Sequence, residues 1–200
     1  MNDMNIRYPI IEIFTSIQGE GFHMGKGATF IRVAGCNLRC SWCDTSYSFD
    51  ISKARWRSVR EIVDEIQTEH RHIVITGGEP TLYDLGPLVQ ELHRMGKYVA
   101  IETNGTHPIP VEWDIDWITV SPKPSSGFAL SCHADELKYV VDDEFSIEAI
   151  TDRAMPEGRI FLQVESGRPE SARKGYDLIN RYPERRLRMG IQLHKVLNVR

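Results

Sequence analysis

The chain lacks any apolar run close to the roughly 18 residues that a membrane-crossing helix requires. Its opening, Met1 to Arg7, is polar and lacks the apolar stretch of an export signal. Positive charge is not in excess either. Against 24 lysines and arginines stand 28 acidic residues, a formal net charge of -4 at pH 7. A dedicated grip on a nucleic-acid backbone wants the opposite sign. Arg181, Arg185, Arg186 and Arg188 do gather, but such a run reads as a solvated face or a subunit contact. Cysteine is scarce: Cys36, Cys40, Cys43 and Cys132 are all there is, and the first three fall within eight residues. A secreted fold pinned by disulfides would spread them more widely. No internal repeat appears, and the proline-marked His107 to Pro110 is too short to separate domains. These absences predict one soluble, cytoplasmic domain over residues 1–200, with neither nucleic acid nor membrane as a direct partner.

What is present fits a packed α/β protein. Apolar residues make up 41% of the chain, enough to build a core. Strands are expected at Tyr8 to Ser16, Ala28 to Ala34, His72 to Thr76, Lys97 to Glu102, Trp117 to Ser121, Leu137 to Val141 and Arg159 to Val164. Ser58 can cap a helix running to about His70, with Glu61 in the capping-box position and Val59, Ile62, Val63 and Ile66 on one face. Asp84 can cap a second, carrying Leu85, Leu88, Val89 and Leu92 and stopped by Gly96. Further helices are expected from about Ser146 and from Glu170 to Arg181, and Leu187 to Val199 reads as a final strand and ordered tail. Strand-helix alternation argues for a mostly parallel sheet, whose ligands sit outside the carboxyl ends of the strands. Four of those ends carry polar motifs: Cys36-x3-Cys40-x2-Cys43, Gly77-Gly78-Glu79-Pro80, Glu102-Thr103-Asn104-Gly105 and Ser121-Pro122-Lys123.

Three thiols on one tight loop can face a single point. Structural zinc normally takes four protein ligands, so a zinc site would need Cys132, His23 or His133 as the fourth. An iron-sulfur cluster is held by cysteine thiolates, and three of them leave one iron of a four-iron cluster free to bind something else. Redox-sensing thiols are the remaining alternative. Cys132, isolated in Ser131-Cys132-His133, reads as an ordinary free cysteine.

The C-x3-C-x2-C spacing, with Trp42 before the last cysteine and Gly77-Gly78-Glu79-Pro80 downstream, resembles the radical S-adenosylmethionine (SAM) enzymes. Glu12-Ile13-Phe14, Ser16-Ile17-Gln18-Gly19-Glu20-Gly21, Phe30-Ile31-Arg32-Val33-Ala34-Gly35-Cys36-Asn37, Cys43-Asp44-Thr45 and Gln192-Leu193-His194-Lys195 narrow the resemblance to the 7-carboxy-7-deazaguanine synthase family, from about Tyr8 to Lys195. That resemblance implies an abbreviated or distorted partial (β/α)6 barrel, with some crossover helices reduced to loops. It implies a [4Fe-4S] cluster, SAM and Mg2+ as cofactors. The reaction implied is radical ring contraction of 6-carboxy-5,6,7,8-tetrahydropterin to 7-carboxy-7-deazaguanine and ammonia, for queuosine and related deazapurines. A 5′-deoxyadenosyl radical would take the hydrogen at C6 of the pterin and later return it. A low-potential donor such as flavodoxin or ferredoxin and a homodimeric state are implied as well.

The resemblance also distributes roles. Cys36, Cys40 and Cys43 would hold the cluster, and Thr45 the magnesium, a hard cation seeking oxygen. Asp44 would support that metal or its own loop by hydrogen bonding. Trp42, Gly77, Gly78, Glu79, Thr103, Asn104, Ser121, Lys123 and Gln163 would surround SAM. Gln18, Gly19, Glu20, Arg32, Gly78 and His194 would meet the substrate, the fork of Arg32 suiting its carboxylate. The C-terminal segment would close over the substrate. His70, His72 and His93 read as surface or packing residues. Two other functions remain at this stage: a glycyl-radical-enzyme activase using the same cluster chemistry, and a non-catalytic zinc-binding module.

Overall fold

The computed structural model describes residues 3–66, 69–151 and 155–200. Among them a single sheet of nine strands runs in the order β3-β1-β2-β4-β5-β6-β7-β8-β9. The strands are β1 (Arg7–Ile17), β2 (Gly27–Val33), β3 (Arg55–Ser58), β4 (His72–Gly77), β5 (Tyr98–Thr103), β6 (Trp117–Val120), β7 (Glu136–Val141), β8 (Ile160–Val164) and β9 (Arg188–Gly190). β1 pairs antiparallel with both β2 and β3, and every later neighbour pair from β2 to β9 is parallel. The sheet stays open, as a partial barrel does.

Strand alternation sorts the side chains. Ile31 and Val33, Ile73 and Ile75, Val99 and Ile101, Ile118 and Val120, Leu137 and Tyr139 pack on one face with the helices α1 (Val59–Glu65), α2 (Gly86–Arg94) and α3 (Pro169–Arg181). The alternate residues point to the other face and form the interior of the barrel. Its floor is aromatic: His23 meets His72, Tyr98 and Trp117 edge to face and His72 stacks on Tyr98, with ring centroids 4.4–5.7 Å apart. Its upper rim is polar, built from Arg32, Thr76, Glu102, Ser121, Lys138 and Gln163.

The expected capping box is present. Ser58 Oγ accepts from the Glu61 amide at 3.2 Å, and a Glu61 carboxylate oxygen accepts from the Ser58 amide at 2.6 Å. α1 ends at Glu65 rather than near His70, because Ile66 has left helical geometry and Gln67 to Arg71 supplies no apolar side chain to extend the stripe. Gln67 and Thr68 themselves lie outside the described residues. α2 starts at Gly86 with Leu85 at the cap, and Asp84 acts one step earlier by accepting from the Gly86 amide at 3.0 Å. Gly96 ends that helix with φ 71°. The helix expected from Ser146 is a short 3-10 turn over Ile147–Ala149, pinned by buried Phe145, Ile147 and Ile150; residues 152–154 are outside the described set. From β5 to β7 the connections contain only 3-10 turns, as the abbreviated barrel predicts. The edge strand β3 was not foreseen. Arg55-Trp56-Arg57-Ser58 is short, charged and pairs on one side only. The tail gives β9 and a last helical turn, α4 (Leu193–Val196). No helix among the described residues is long and apolar enough to cross a membrane.

Candidate active site

One cavity of about 280 Å³ opens at the carboxyl ends of the strands. Every residue assigned above by resemblance lines it: the three cysteines with Trp42 and Thr45, the Gly77-Gly78-Glu79 turn, Thr103, Asn104, Ser121, Lys123 and Gln163, and on the opposite wall Gln18, Gly19, Glu20, Arg32 and His194.

The cysteine loop leaves β2 and is tied down from β5. Asn104 Nδ2 donates to Asn37 Oδ1 and Asn37 Nδ2 to Thr106 Oγ1, both at 2.9 Å. The Cys43 amide bonds the Cys40 carbonyl, and the Leu38 amide reaches Cys36 Sγ at 3.4 Å. Burial pushes the Cys36 thiol up, and the nearby Glu79 and cysteine charges add to this. All three thiols are free and half-buried. Among the described residues no three cysteine, histidine or carboxylate side chains converge on a single-ion site. Ligands of a four-iron cluster bind different irons and so stand farther apart than ligands of one ion. Three free thiols on one loop match the cysteine set of an iron-sulfur cluster, whereas structural zinc takes four protein ligands. Trp42 Nε1 donates to Asp142 at 2.9 Å, and the Lys123 ammonium lies 5.4 Å from the Trp42 ring centre.

The two glycines of the Gly-Gly-Glu-Pro turn exist for close backbone approach. A Cβ at Gly78 would stand 1.8 Å from the Gly35 carbonyl oxygen, and one at Gly77 2.4 Å from that of Val33. Glu79 is fully committed as a clamp. It accepts from the Thr81 amide and hydroxyl, from Thr103 Oγ1 at 2.7 Å and from the Asn104 amide at 2.7 Å. Its side chain therefore joins the ends of β4 and β5, and the backbone of the turn is what faces the cavity. Gln163 presents the converse case. It is buried, and its Oε1 has no protein partner. Burial and the Lys138 charge push Lys123 down to about 8.

The Gln18-Gly19-Glu20-Gly21 turn is explained residue by residue. Gln18 Nε2 donates to Glu102 at 2.9 Å. A Cβ at Gly19 would lie 1.9 Å from His194 Nδ1, and the Gly19 carbonyl accepts from the Leu193 amide at 2.8 Å. Glu20 accepts from Lys138 Nζ at 2.5 Å and from Gln192 Nε2 at 2.8 Å. Gly21 has φ +69°, and a Cβ there would meet Glu136 Oε1 at 2.1 Å. The segment after β9 is strapped across this turn. Gln192 and Lys195 both donate to Asp44 Oδ2, at 2.9 and 2.6 Å, so Asp44 serves the strap by hydrogen bonding. Burial raises the Asp44 carboxyl, but these bonds outweigh it and hold it below its ordinary value.

Arg32 carries a double assignment. Its Nε donates to Glu12 at 2.8 Å, its guanidinium lies 5.7 Å from the Phe14 ring centre, and the residue lines the cavity. Arg200 also bonds Glu12 and covers Phe14. Sequence reasoning missed Lys138, Glu102, Gln192 and Arg200 as lining residues. Glu102 and Gln192 stood within motifs already read from the sequence, and Lys138 offered a signal as a lone charge in the apolar run Leu137-Lys138-Tyr139-Val140-Val141.

A partial barrel with three clustered thiols at its strand ends defines the class, and the Radical SAM superfamily model matches residues 30–121. Membership implies a cysteine-held four-iron cluster and SAM. A 7-carboxy-7-deazaguanine synthase of Bacteroides thetaiotaomicron is 39% identical, over 96% of this chain and 98% of that one. Another, from Synechocystis, is 36% identical over 98% and 96%. The crystal structure of QueE from Escherichia coli superposes with a TM-score of 0.79 at 30% identity, covering 96% of each chain. The chain belongs to the 7-carboxy-7-deazaguanine synthase family.

Proposed function

We propose that this protein converts 6-carboxy-5,6,7,8-tetrahydropterin to 7-carboxy-7-deazaguanine with release of ammonia, a step in queuosine and related deazapurine synthesis. The observation that carries the reading is the single cavity that gathers three free thiols and polar groups of both signs. Cys36, Cys40 and Cys43 hold the cluster, and the Gly77–Glu79 turn, Thr103, Asn104, Ser121, Lys123 and Gln163 surround SAM beside Trp42. When bound, cluster and SAM supply a 5′-deoxyadenosyl radical able to take a hydrogen atom from carbon. The protein's own part is to place one C–H bond and to exclude water. Arg32 binds the substrate carboxylate through the nitrogens that Glu12 leaves free. Gln18, Glu20 and the Gly19–His194 contact form the wall for the pterin ring, whose edge offers donors and acceptors together. Thr45, with its hydroxyl 3.6 Å from Cys43 Sγ, supplies one oxygen to magnesium at the edge of the cluster loop. Residues 1–200 act as one catalytic domain closed by the C-terminal strap. A flavodoxin- or ferredoxin-like donor delivers the electron, and the protein works as a homodimer.

The test is an anaerobic assay of reconstituted protein with the pterin, SAM, magnesium and a strong reductant, products read by mass. A 7-carboxy-7-deazaguanine signal that needs both cluster and SAM is expected. Cleavage of SAM without that product would move the substrate assignment elsewhere, to a protein glycine among others.

A further inference from the structure

Among the described residues, Lys138 is the one ammonium set between two carboxylates on the cavity wall. It stands on β7, its side chain is 8% exposed, and its Nζ lies 2.5 Å from Glu20 Oε2 and 2.9 Å from Glu102 Oε2. Ser121 Oγ bonds its backbone carbonyl at 2.7 Å. Gln18 donates to the other Glu102 oxygen and Gln192 to the other Glu20 oxygen. Each of the four carboxylate oxygens thus has one donor and keeps a second lone pair. Economy of folding does not account for the trio. Replacing a buried ion network with apolar side chains is often neutral or stabilising. The trio is instead placed where it faces the site.

We propose that Lys138 is a positioning residue, holding Glu20 and Glu102 as a matched pair of carboxylate acceptors for the N–H donor edge of the substrate. This rests on the pterin reading above. The chemistry is simple. The 2-amino group and ring N–H of a pterin offer parallel donors, which a carboxylate accepts far better than a carboxylic acid does. Two carboxylates this close to one atom would otherwise share a proton. The charges of Arg32, Lys123 and Glu136 also reach the pair, and that of Asp44 reaches Lys138; of these, Arg32 and Lys123 are positive, and neither bonds Glu20 or Glu102. Lys138 is the direct counter-ion.

The experiment compares wild type, Lys138→Met, Lys138→Arg and the double variant Lys138→Met/Glu102→Gln, all as reconstituted protein with SAM. One readout is calorimetric binding of 6-carboxypterin as the probe across the neutral range. The other is the infrared carbonyl band of a protonated carboxyl group, recorded without probe. Lys138→Met should bind about 30-fold more weakly at mildly acidic pH and recover as pH rises, since loss of a charge-assisted hydrogen bond is worth about that factor. It should show a carboxyl band that wild type and the double variant lack. Lys138→Arg should stay within about threefold of wild type, because it keeps the charge. Unchanged affinity in Lys138→Met, or an equal loss at every pH without a new band, overturns the proposal. If Lys138→Met does not fold, the double variant decides: pH-independent binding is expected, and a new pH inflection overturns it. If wild type itself fails to bind the probe, the pterin reading fails, while the infrared band still judges the hold on the carboxylates.

Discussion

Gly19 leaves no room for a side chain while His194 stays in place, yet its φ is ordinary. Its need for a hydrogen side chain comes from the imidazole of His194, brought there from the far end of the chain. Gly19→Ala should therefore fold and load iron normally but bind 6-carboxypterin at least about tenfold more weakly, since His194 must move off the wall. Iron content and calorimetric affinity of one sample check both halves. Cys43→Ala should lose most of its cluster iron and the associated visible absorbance. Thr45→Ala should keep the iron and show a weaker rate response to added magnesium in the product assay. At this scale the sequence was legible wherever residue type and chemistry coincide, as for the cysteines, Arg32 and the Gln18–Gly21 turn. It gave Lys138 only a weak signal, because a lysine within a strand pattern usually marks the solvent side. Only the curvature of the open partial barrel turns that side inward. The Glu79 side chain shows the same limit. The motif named the position, and only the structure shows that its side chain also clamps β4 to β5.

Strands and helices obey local signals more strictly. The apolar alternation that located β2, β4, β5, β6, β7 and β8 is the same alternation that separates helix-packed core from cavity wall. β3 escaped because an edge strand of arginines and an exposed tryptophan carries no such pattern. α1 fell short because its capping box specifies a start and nothing specifies an end. The junction of β4 with β5 depends on Glu79, which is 1% exposed and satisfies two hydroxyls and two amides. Glu79→Ala should destabilise the protein by about 3 kcal/mol, the cost of leaving such donors buried and unpaired. Urea unfolding of the cluster-free protein measures it; a change below about 0.5 kcal/mol would show that the clamp is dispensable.

For the molecule as a whole, the buried ion network makes stability depend on acidity. Burial raises the Glu102 carboxyl, but Lys138 and Gln18 outweigh that and leave it below its reference value of 4.5. A carboxylate depressed on folding contributes fully above its unfolded value and loses that contribution as pH falls through the folded one. Stability should therefore drop as pH falls below 4.5, and Glu102→Gln should flatten that part of the profile. Denaturant melts at stepped pH test the sign. Equal slopes in wild type and variant would place the acid sensitivity elsewhere.

The bond between Glu20 and Gln192 spans 172 residues. During synthesis that separation is a delay. The Gln18–Gly21 turn and the three thiols leave the ribosome early and wait, uncovered, while nearly the whole chain is made. A product cut short before Gln192 has its cysteine loop in full and nothing to draw across it. Translation errors near the 3′ end of the message therefore leave a complete cysteine loop without the segment that covers it.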